Sequence, residues 1–267
     1  MDSTKVAAAG RIVIKVGTSL LTDGSGRLDV GRMENLVRQI AALVESGRQL
    51  ILVSSGAIGA GIGRVGLGKR PSSLTEKQAL AAIGQCTLMH TYDRLFGGHG
   101  ITVAQILLTR DDLESPVRRN NARATFEQLL AWQVLPIVNE NDTVATEEIR
   151  VGDNDNLSAL VAELVGADLL VILSDVGGLY PEDPRQRPGL EPIPLVREIT
   201  PELWAAGGGP GSAYSTGGMS TKLEAARTCL GCGIAVIITD GNRPGVLTDI
   251  AAGRVHGTLF LSEEVQV

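Results

Sequence analysis

The sequence predicts an α/β fold in which helices cover both sides of a mostly parallel sheet. Short, nearly continuous apolar runs rich in Val, Ile and Leu alternate with longer stretches in which apolar residues recur every three or four positions. Continuous apolar runs are typical of strands buried on both faces, and their alternation with helices is typical of βαβ units. The chain has 267 residues, of which 43% are hydrophobic and 20% charged, so it can bury a large core and is not disordered.

Six apolar runs are predicted strands, and five stretches between them are predicted helices. The strands are Arg11–Val16, Gln49–Ser54, Ile101–Leu108, Val134–Asn139, Leu169–Ser174 and Ala235–Thr239. The helices are Val30–Val44, Ser73 to about Leu95, Arg118 to about Trp132, Asn154–Val165 and Thr221–Leu230. Gly47 follows the first helix as a stop signal.

Two stretches rich in turn-forming residues interrupt this alternation. Pro181–Pro194 contains five prolines and is a predicted loop, and Ala205–Gly218 is dense in Gly and Ser. Neither is long enough to link independent cores. We therefore expect a single domain over residues 1–267.

Charge and hydropathy exclude several classes of protein. The formal net charge of −6 argues against a nucleic-acid-binding module, which usually presents a basic face. No apolar run approaches the roughly 18 residues that a membrane span needs. The apolar segment near the N-terminus is too short and too weakly apolar for a signal peptide. We expect a cytoplasmic protein with neither a nucleic acid nor a membrane as partner.

The cysteines and histidines predict no metal or disulfide site. Cys86, Cys229 and Cys232 are an odd number of thiols in a chain of intracellular character. Cys229 and Cys232 form a CxxC pattern, which could indicate redox chemistry, but no second pair is present for zinc. Small buried or half-buried thiols are the favoured interpretation. The three histidines lack the spacing of metal ligands and are interpreted as structural.

Two glycine-rich patterns resemble nucleotide-binding loops without meeting their requirements. Gly61–Gly66 reads GxGxxG, but it begins well after the preceding strand and no acidic residue follows about 20 positions later. Gly63–Lys69 nearly spells a phosphate-binding P-loop, but Arg70 stands where a Ser or Thr must reach the metal. We interpret this region as a small-residue helix packed closely on its sheet.

Small, polar and charged residues follow several predicted strands, where open parallel sheets bind their ligands. The clusters are Lys15–Ser19, Ser54–Ala57, Asn139–Asp142, Gly152–Asn156 and Ser174–Gly178, and Gly217–Lys222 opens a later helix. Their glycines allow backbone N–H groups to approach an anion closely, and helix N-termini favour negative charge.

Two lysines among these clusters indicate phosphoryl transfer. Lys15 lies in a buried-strand pattern, where an ammonium group is costly unless it is paired or functional. Lys222 lies in the glycine-rich helix start. Together with anion-binding loops and several carboxylates, they suit a reaction in which the protein positions reactants and neutralises charge on a phosphoryl group. Asp175 and neighbouring oxygens could hold Mg²⁺.

Two runs of Asn and acidic residues are further site candidates. Asp153–Asn156 could cap the helix that follows, but four consecutive residues of this type exceed what a cap requires. Asn139–Asp142 follows a buried strand and could equally be a surface turn.

These motifs, in this order, resemble those of the amino-acid kinase family over about residues 11–260. The segments that carry the resemblance are Lys15–Ser19, Ser54–Ala57, Asn139–Asp142, Val151–Leu160, Ser174–Tyr180 with Asp183-Pro184, and Gly217–Lys222. Two of these segments, Asn139–Asp142 and Gly152–Ala159, are together most similar to the branch of the family that phosphorylates glutamate.

The resemblance implies a three-layer αβα sandwich and an ATP-dependent reaction. The implied reaction phosphorylates the γ-carboxylate of L-glutamate, gives L-glutamyl 5-phosphate and ADP, and is the first step towards proline. The implied amino-acid side is the N-terminal half, and the implied nucleotide side is the C-terminal half from about residue 166. Many bacterial members carry a C-terminal PUA domain, and this chain, which ends at Val267, is expected to be a form without it.

The resemblance also implies roles for individual residues. Lys15 and Lys222 would bind the ATP phosphates, with Asp155 between them holding both lysines in place. The implied glutamate-binding residues are Ser55, Gly56, Ala57, Asn139, Asp142, Asp153 and Asn154, with Asp142 receiving the α-ammonium. The implied nucleotide-binding residues are Lys15, Gly17, Ser174, Asp175, Thr216, Gly217, Gly218, Met219, Ser220, Thr221 and Lys222. The metal ligands stay open.

Two positions depart from the family pattern, and two other functions stay open. Ser215 stands where many members have Gly, and Ser174 where Thr is common. The acceptor could instead be acetylglutamate, aspartate, carbamate or UMP. A catalytically silent amino-acid sensor is the alternative from another class.

The family further implies ATP as co-substrate, Mg²⁺, proline as inhibitor, a homodimer or homotetramer, and functional coupling to a glutamyl phosphate reductase.

Overall fold

The computed structural model describes residues 2–67, 71–145, 154–182, 184, 187, 189–206 and 218–262. The chain divides into two compact units. The 16–154 unit is Val16–Asn154, and the C-terminal unit is Met1–Lys15 together with Asp155–Val267. Each is described by itself below.

Strands and helices alternate along the described residues, as the sequence pattern predicts. The strands are β1 (Arg11–Val16), β2 (Gln49–Ser54), β3 (Val103–Leu108), β4 (Leu135–Glu140), β5 (Leu169–Ser174), β6 (Leu195–Val196), β7 (Ala235–Asp240) and β8 (Thr258–Phe260). The helices are α1 (Asp2–Ala8), α2 (Thr18–Leu21), α3 (Val30–Glu45), α4 (Ala57–Val65), α5 (Leu74–Gly97), α6 (Arg110–Glu114), α7 (Pro116–Ala131), α8 (Asn154–Val165), α9 (Pro201–Ala206), α10 (Met219–Gly231) and α11 (Val246–Ala251).

The strands of the 16–154 unit pair in parallel in the order β3-β4-β2. Leu52 lies opposite Ile137, and Val103 lies opposite Leu135. Parallel strands present their carboxyl ends at the same edge, so the polar residues that follow β2 and β4 are brought to one edge of this unit.

The strands of the C-terminal unit follow the order β1-β5-β7-β8-β6. β5 and β7 are parallel, with Leu169 opposite Ala235, whereas β8 runs antiparallel to β7. β5 is buried at all six positions, which is why its sequence is apolar throughout rather than alternating.

Aliphatic side chains make up most of the core, as the aromatic content of 3% requires. Tyr92, Phe96, Phe126 and Phe260 are fully buried, whereas Trp132 is exposed. Tyr92 and Phe96 lie one helical turn apart on α5, with ring centroids 6.0 Å apart.

Helix α5 shows how local sequence sets an element's bounds. Ser73 accepts a hydrogen bond from the backbone N–H of Glu76, whose side chain accepts from the backbone of Ser73, so a capping box begins the helix. The helix then runs to Gly97. The predicted start and end are thus within two residues of those observed.

The GxGxxG segment forms α4, and its close packing partner is a helix. An added Cβ would lie 2.0 Å from the Leu80 carbonyl oxygen at Gly61 and 1.8 Å from the Ala57 carbonyl oxygen at Gly84. These glycines therefore let α4 and α5 approach backbone to backbone. The interpretation of a small-residue helix is confirmed, but its closest contacts are with α5 rather than the expected sheet.

The predicted loops fall partly outside the described residues. Within Pro181–Pro194 the described residues form neither helix nor strand, and residues 183, 185, 186 and 188 are not described. Within Ala205–Gly218, residues 205 and 206 end α9, and residues 207–217 are not described. In the described part of the chain, no helix is both long enough and apolar enough to cross a membrane.

Candidate active site

Two buried lysines and one buried aspartate meet in the C-terminal unit. Lys15 Nζ lies 2.5 Å from Asp155 Oδ1, and Lys222 Nζ lies 3.1 Å from Asp155 Oδ2. The exposed fractions are 4% for Lys15, 5% for Lys222 and 0% for Asp155. Asp155 therefore lies between the two lysines, as the family resemblance implies. We call these three residues the lysine–aspartate cluster.

Three elements bring the cluster together. Lys15 is the penultimate residue of β1, and Asp155 and Lys222 lie in the first turns of α8 and α10. Thr221 Oγ1 lies 3.0 Å from Asp155 Oδ2 and 2.9 Å from the Gly218 carbonyl oxygen, so its single hydroxyl hydrogen has two acceptors within reach. Each carboxylate oxygen of Asp155 thus faces one lysine. The contact with Thr221 orients the carboxylate towards the start of α10.

A second contact ties α8 to α10 beside the cluster. Asn156 Nδ2 donates to Glu224 Oε2 at 3.0 Å. Because Asn156 follows Asp155 and Glu224 lies two residues after Lys222, this bond holds the two helix starts in register. Both residues are only half-buried.

The charges of the cluster favour an anionic ligand. Two ammonium groups and one carboxylate sum to one positive charge for these three side chains. Buried charge is costly unless compensated, and phosphate groups supply both the compensating charge and several acceptor oxygens. Gly218 is the N-cap of α10, where no side chain caps the first backbone N–H groups, and such helix starts favour anions.

The remaining predicted nucleotide residues lie in several places. Met219 and Ser220 begin α10 and are half-buried. Ser174 ends β5 and is buried, and its Oγ lies 3.3 Å from Oδ1 of the exposed Asp175. Thr216 and Gly217 lie outside the described residues.

Gly17 belongs to the 16–154 unit, where it precedes the short helix α2. Its φ of −80° is one that any residue adopts, so its backbone does not require glycine. Gly56, by contrast, has φ of 101° as the N-cap of α4 and lies in the region that favours glycine. Ala57 follows it as the first residue of α4 and is buried.

Asn154 is the centre of a second polar cluster, formed within the 16–154 unit. Its Nδ2 lies 2.9 Å from the Ser54 carbonyl, 3.0 Å from Ser55 Oγ and 2.9 Å from Asn139 Oδ1. Asn139 and Asn154 are buried, and Ser55 is half-buried. Ser54, Ser55, Asn139 and Asn154 are called the amide cluster below. It unites residues that end β2 and β4 with the first residue of α8.

Two carboxyl groups follow the amide cluster at the end of β4. Burial raises the pKa of Glu140 to about 7, with the charge of Asp142 adding to the effect, and burial raises the pKa of Asp142 to about 6. Both carboxylates are therefore held in surroundings that disfavour their charge. A cationic group bound beside them would relieve this cost.

The structure also brings in residues that the sequence did not single out. Glu140 lies within the Asn139–Asp142 motif but was not a predicted site residue. Gln85 of α5 accepts a hydrogen bond from Asn139 Nδ2 through its Oε1 at 2.9 Å. Tyr92 bonds Ser54 Oγ at 2.9 Å. No local pattern indicates Gln85 or Tyr92, because their partners lie 54 and 38 residues away.

Three further predictions concern metal ligands, the cysteine thiols and Asp153. Among the described residues, no group of three or more His, Cys, Asp or Glu side chains could hold a metal ion. Cys229 is buried, as expected, and burial raises the pKa of its thiol to about 12, so it is a poor nucleophile. Cys86 and Cys232 are exposed, so the interpretation of buried or half-buried thiols is wrong for them. Asp153, a predicted glutamate-binding residue, lies outside the described residues.

The comparisons with known proteins define the class. The chain belongs to the amino acid kinase family, whose model matches residues 10–240. Two solved structures share the fold: carbamate kinase from Giardia lamblia bound to AMP-PNP, with a TM-score of 0.67 and 18% identity, and UMP kinase from Bacillus anthracis, with a TM-score of 0.65 and 16% identity. Each alignment covers 96% of this chain, together with 100% of the carbamate kinase chain and 97% of the UMP kinase chain. The predicted fold class is therefore confirmed.

Relatives of higher identity carry one name. Glutamate 5-kinase from Symbiobacterium thermophilum is 59% identical over 253 residues, which are 95% of this chain and 96% of that protein. Glutamate 5-kinase from Moorella thermoacetica is 53% identical over 259 residues, which are 97% of this chain and 68% of that protein. The similarity to the glutamate-phosphorylating branch that the motifs indicate is thus confirmed over nearly the whole chain.

Proposed function

We propose that this protein transfers the γ-phosphoryl group of ATP to the γ-carboxylate of L-glutamate. The observation that carries the phosphoryl-transfer part is the buried bridge of Asp155 between Lys15 and Lys222. The acceptor rests on the relatives named glutamate 5-kinase, at 59% and 53% identity. The products are L-glutamyl 5-phosphate and ADP, and the reaction is the first step of proline biosynthesis.

The chemistry needs positioning and charge neutralisation more than acid–base catalysis. A γ-carboxylate oxygen of glutamate attacks the γ-phosphorus of ATP, one P–O bond forms, and the bond to the β,γ-bridging oxygen breaks. The bridging oxygen leaves with its electron pair on ADP. Because the nucleophile is already a carboxylate, no proton has to be removed from it, and the lysines stabilise negative charge as it shifts between the phosphates.

We assign the phosphate groups to the lysine–aspartate cluster and the start of α10. Lys15 and Lys222 bind phosphate oxygens, and Asp155 fixes both ammonium groups, through an ion pair with Lys15 and a hydrogen bond accepted from Lys222. Gly218, Met219, Ser220 and Thr221 offer backbone N–H groups there. Gly17, Ser174, Asp175, Thr216 and Gly217 remain proposed nucleotide residues on the family pattern alone.

We assign glutamate to the amide cluster and the carboxylates at the end of β4. Asp142, with Glu140 near it, receives the α-ammonium, since both carboxylates are partly buried and gain from a cationic neighbour. Ser55 and the N–H groups of Gly56 and Ala57 suit a substrate carboxylate. Asn139, Asn154 and Asp153 complete the proposed set.

Mg²⁺ suits this chemistry as a partner of ATP. It commonly takes one or two carboxylates together with phosphate oxygens and waters, so Asp175 at the end of β5 is a fitting protein contributor. Bound there, it would neutralise charge on the phosphate oxygens.

The two compact units fit a division of labour. The amide cluster lies within Val16–Asn154, and the lysine–aspartate cluster lies within the C-terminal unit. We propose that the first binds the amino acid and the second the nucleotide, within one kinase domain. Asn154 belongs to the amide cluster, and Asp155 belongs to the lysine–aspartate cluster.

The acceptor is tested by measuring ADP release with Mg²⁺–ATP and one candidate acceptor at a time. We expect turnover with L-glutamate and little with L-aspartate, N-acetylglutamate, carbamate or UMP. N-acetylglutamate lacks the ammonium that Asp142 is proposed to receive. Turnover with another acceptor but not with glutamate would refute the assignment, and glutamate binding without any turnover would favour an amino-acid sensor.

Regulation and assembly are finer proposals from the family. We propose inhibition by proline, a homodimer or homotetramer, functional coupling to a glutamyl phosphate reductase, and a cytoplasmic location. A proline titration of ADP release tests the first, and light scattering tests the second. Loss of free acyl phosphate on adding a reductase and NADPH tests the coupling.

A further inference from the structure

Four side-chain amides form a hydrogen-bonded chain inside the 16–154 unit. Asn154 Nδ2 donates to Asn139 Oδ1 at 2.9 Å, Asn139 Nδ2 donates to Gln85 Oε1 at 2.9 Å, and Gln85 Nε2 donates to Gln105 Oε1 at 3.2 Å. The chain begins at the buried amide cluster and ends at the exposed side chain of Gln105.

Backbone groups fix the direction of every bond in this chain. The Ser54 carbonyl can only accept, so the Asn154 group that faces it must be Nδ2. The Glu140 N–H can only donate, and it lies 2.9 Å from Asn139 Oδ1. Asn139 Nδ2 must therefore point away from both, towards α5, where it needs an acceptor.

We propose that Gln85 is a positioning residue for the amino-acid substrate, because its Oε1 locks the amide of Asn139 in the orientation that orders Asn154 and Ser55. This proposal rests on the proposed function, since it assigns these residues to the glutamate site. Gln85 acts through Asn139 and need not touch the substrate.

The locked orientation matters for the hydrogen bonds that the substrate would receive. Asn154 Nδ2 has two hydrogens for three acceptors, the Ser54 carbonyl, Asn139 Oδ1 and Ser55 Oγ, so Ser55 can receive only a shared hydrogen. The hydroxyl hydrogen of Ser55 points to an acceptor other than this NH₂ group. A substrate carboxylate is a suitable acceptor. If Asn139 turned over, its Nδ2 would face the Nδ2 of Asn154 and the N–H of Glu140, and one buried and one partly buried hydrogen bond would be lost.

Replacing Gln85 by Met or by Glu separates positioning from packing. Met has a similar length and suits a helix, but it offers Asn139 no good acceptor. Glu keeps an oxygen where Oε1 lies and loses the donor to Gln105, whose exposed amide can bond water instead. We expect Gln85→Met to raise the KM for glutamate by about 3- to 10-fold, the range of one neutral hydrogen bond, and Gln85→Glu to stay within about 2-fold of wild type.

Three controls accompany the comparison. The KM for ATP and the melting temperature are measured for every variant, and both should change little. Gln39→Met makes the same replacement on α3, where the amide bonds Asn35 of its own helix, and should leave the KM for glutamate unchanged. Gln85→Lys, which is polar but cannot accept a hydrogen bond, should behave like Gln85→Met and replaces it if the Met variant does not fold.

The outcomes distinguish this proposal from the proposed function. If wild type phosphorylates glutamate and the Met, Lys and Glu variants all keep its KM, the positioning role is wrong and the function stands. If all three lose affinity for glutamate and ATP together with thermal stability, Gln85 is merely structural. If wild type neither binds nor phosphorylates glutamate, the proposed function fails and the positioning role fails with it.

Discussion

Asp155 is the residue on which the proposed phosphate site depends. Its two oxygens face two ammonium groups that are themselves almost fully buried. An ammonium group held in this way costs no further reorganisation when negative charge develops on a phosphate. The two lysines proposed to bind phosphate are therefore held in place before any substrate binds.

Replacing Lys222 by Ala tests this placement. We expect kcat to fall by at least about 10²- to 10³-fold, because one preorganised charge that stabilises the transition state is removed. Lys15→Ala should act similarly. The matched control is Lys77→Ala, which removes an exposed lysine of α5 and should retain turnover. A Lys222→Ala enzyme with wild-type kcat would show that this lysine takes no part in transfer.

Glu140 gives a prediction for the pH dependence of stability. Its pKa is raised to about 7 in the folded protein, so the folded state binds more protons than the unfolded state between about pH 4 and pH 7. The favourable contribution is present at low pH and is lost as pH rises through about 7. The ionised carboxylate thus destabilises the ligand-free protein at pH 8.

Glu140→Gln should consequently stabilise the ligand-free protein at pH 8 but not at pH 5. Allowing for the partial exposure of the group, the expected gain is roughly 1–2 kcal/mol. Urea denaturation of both proteins at the two pH values measures it. Glu45→Gln, which alters an exposed carboxylate at the end of α3, serves as the reference. Equal effects of Glu140→Gln at both pH values would contradict the raised pKa.

The sequence predicted Lys15, Asp155 and the amides Asn139 and Asn154, but not Gln85, which bonds Asn139. Lys15 stood out because a lysine within a buried strand is costly, and Asp155 because its run of Asn and Asp exceeded a helix cap. Gln85 gave no signal, because a glutamine on a helix is ordinary until its partner is known. The contact with Asn139 spans 54 residues and exists only in the folded chain.

At the scale of elements, the packing of α4 against α5 depends on the absence of two side chains. An added Cβ at Gly84 would lie 1.8 Å from the Ala57 carbonyl oxygen and 2.4 Å from the Gly61 backbone nitrogen. Neither atom can move without moving α4. Because α4 begins at Ala57, directly after Gly56, a shift of this helix would disturb the proposed glutamate site.

Gly84→Ala is therefore expected to destabilise the protein by at least about 1–3 kcal/mol, the usual cost of overpacking, and to weaken glutamate binding. Gly97→Ala is the matched substitution on the same helix. No atom lies within 4 Å of a Cβ there, so stability should be unchanged or slightly higher. Thermal melting of both variants measures the contrast, and equal melting temperatures would contradict the close packing.

Elements with strong patterns were predicted well, and short ones were missed. The six predicted strands are present with ends shifted by at most two residues. β6 and β8, with two and three residues, are too short to give an apolar run. The short helices α2, α6 and α11 offer at most two turns of periodicity and were missed for the same reason.

At the scale of the whole molecule, the order of motifs identified the family where composition alone gave only an α/β class. Each motif has an ordinary structural explanation, such as a cap or a turn. Their combined order along the chain does not, and the match of residues 10–240 to the amino acid kinase family agrees with it. The resemblance implied two halves that divide near residue 166, whereas the compact units divide after Lys15 and after Asn154, where no linker marks the sequence.

Trapping the product with hydroxylamine is the most direct test of the central claim. An acyl phosphate reacts with hydroxylamine to give a stable hydroxamate, so the assay detects phosphorylation of a carboxyl group itself. With Mg²⁺–ATP we expect γ-glutamyl hydroxamate from L-glutamate and none from L-aspartate or N-acetylglutamate. A folded protein that binds ATP but forms no hydroxamate from glutamate would contradict the account.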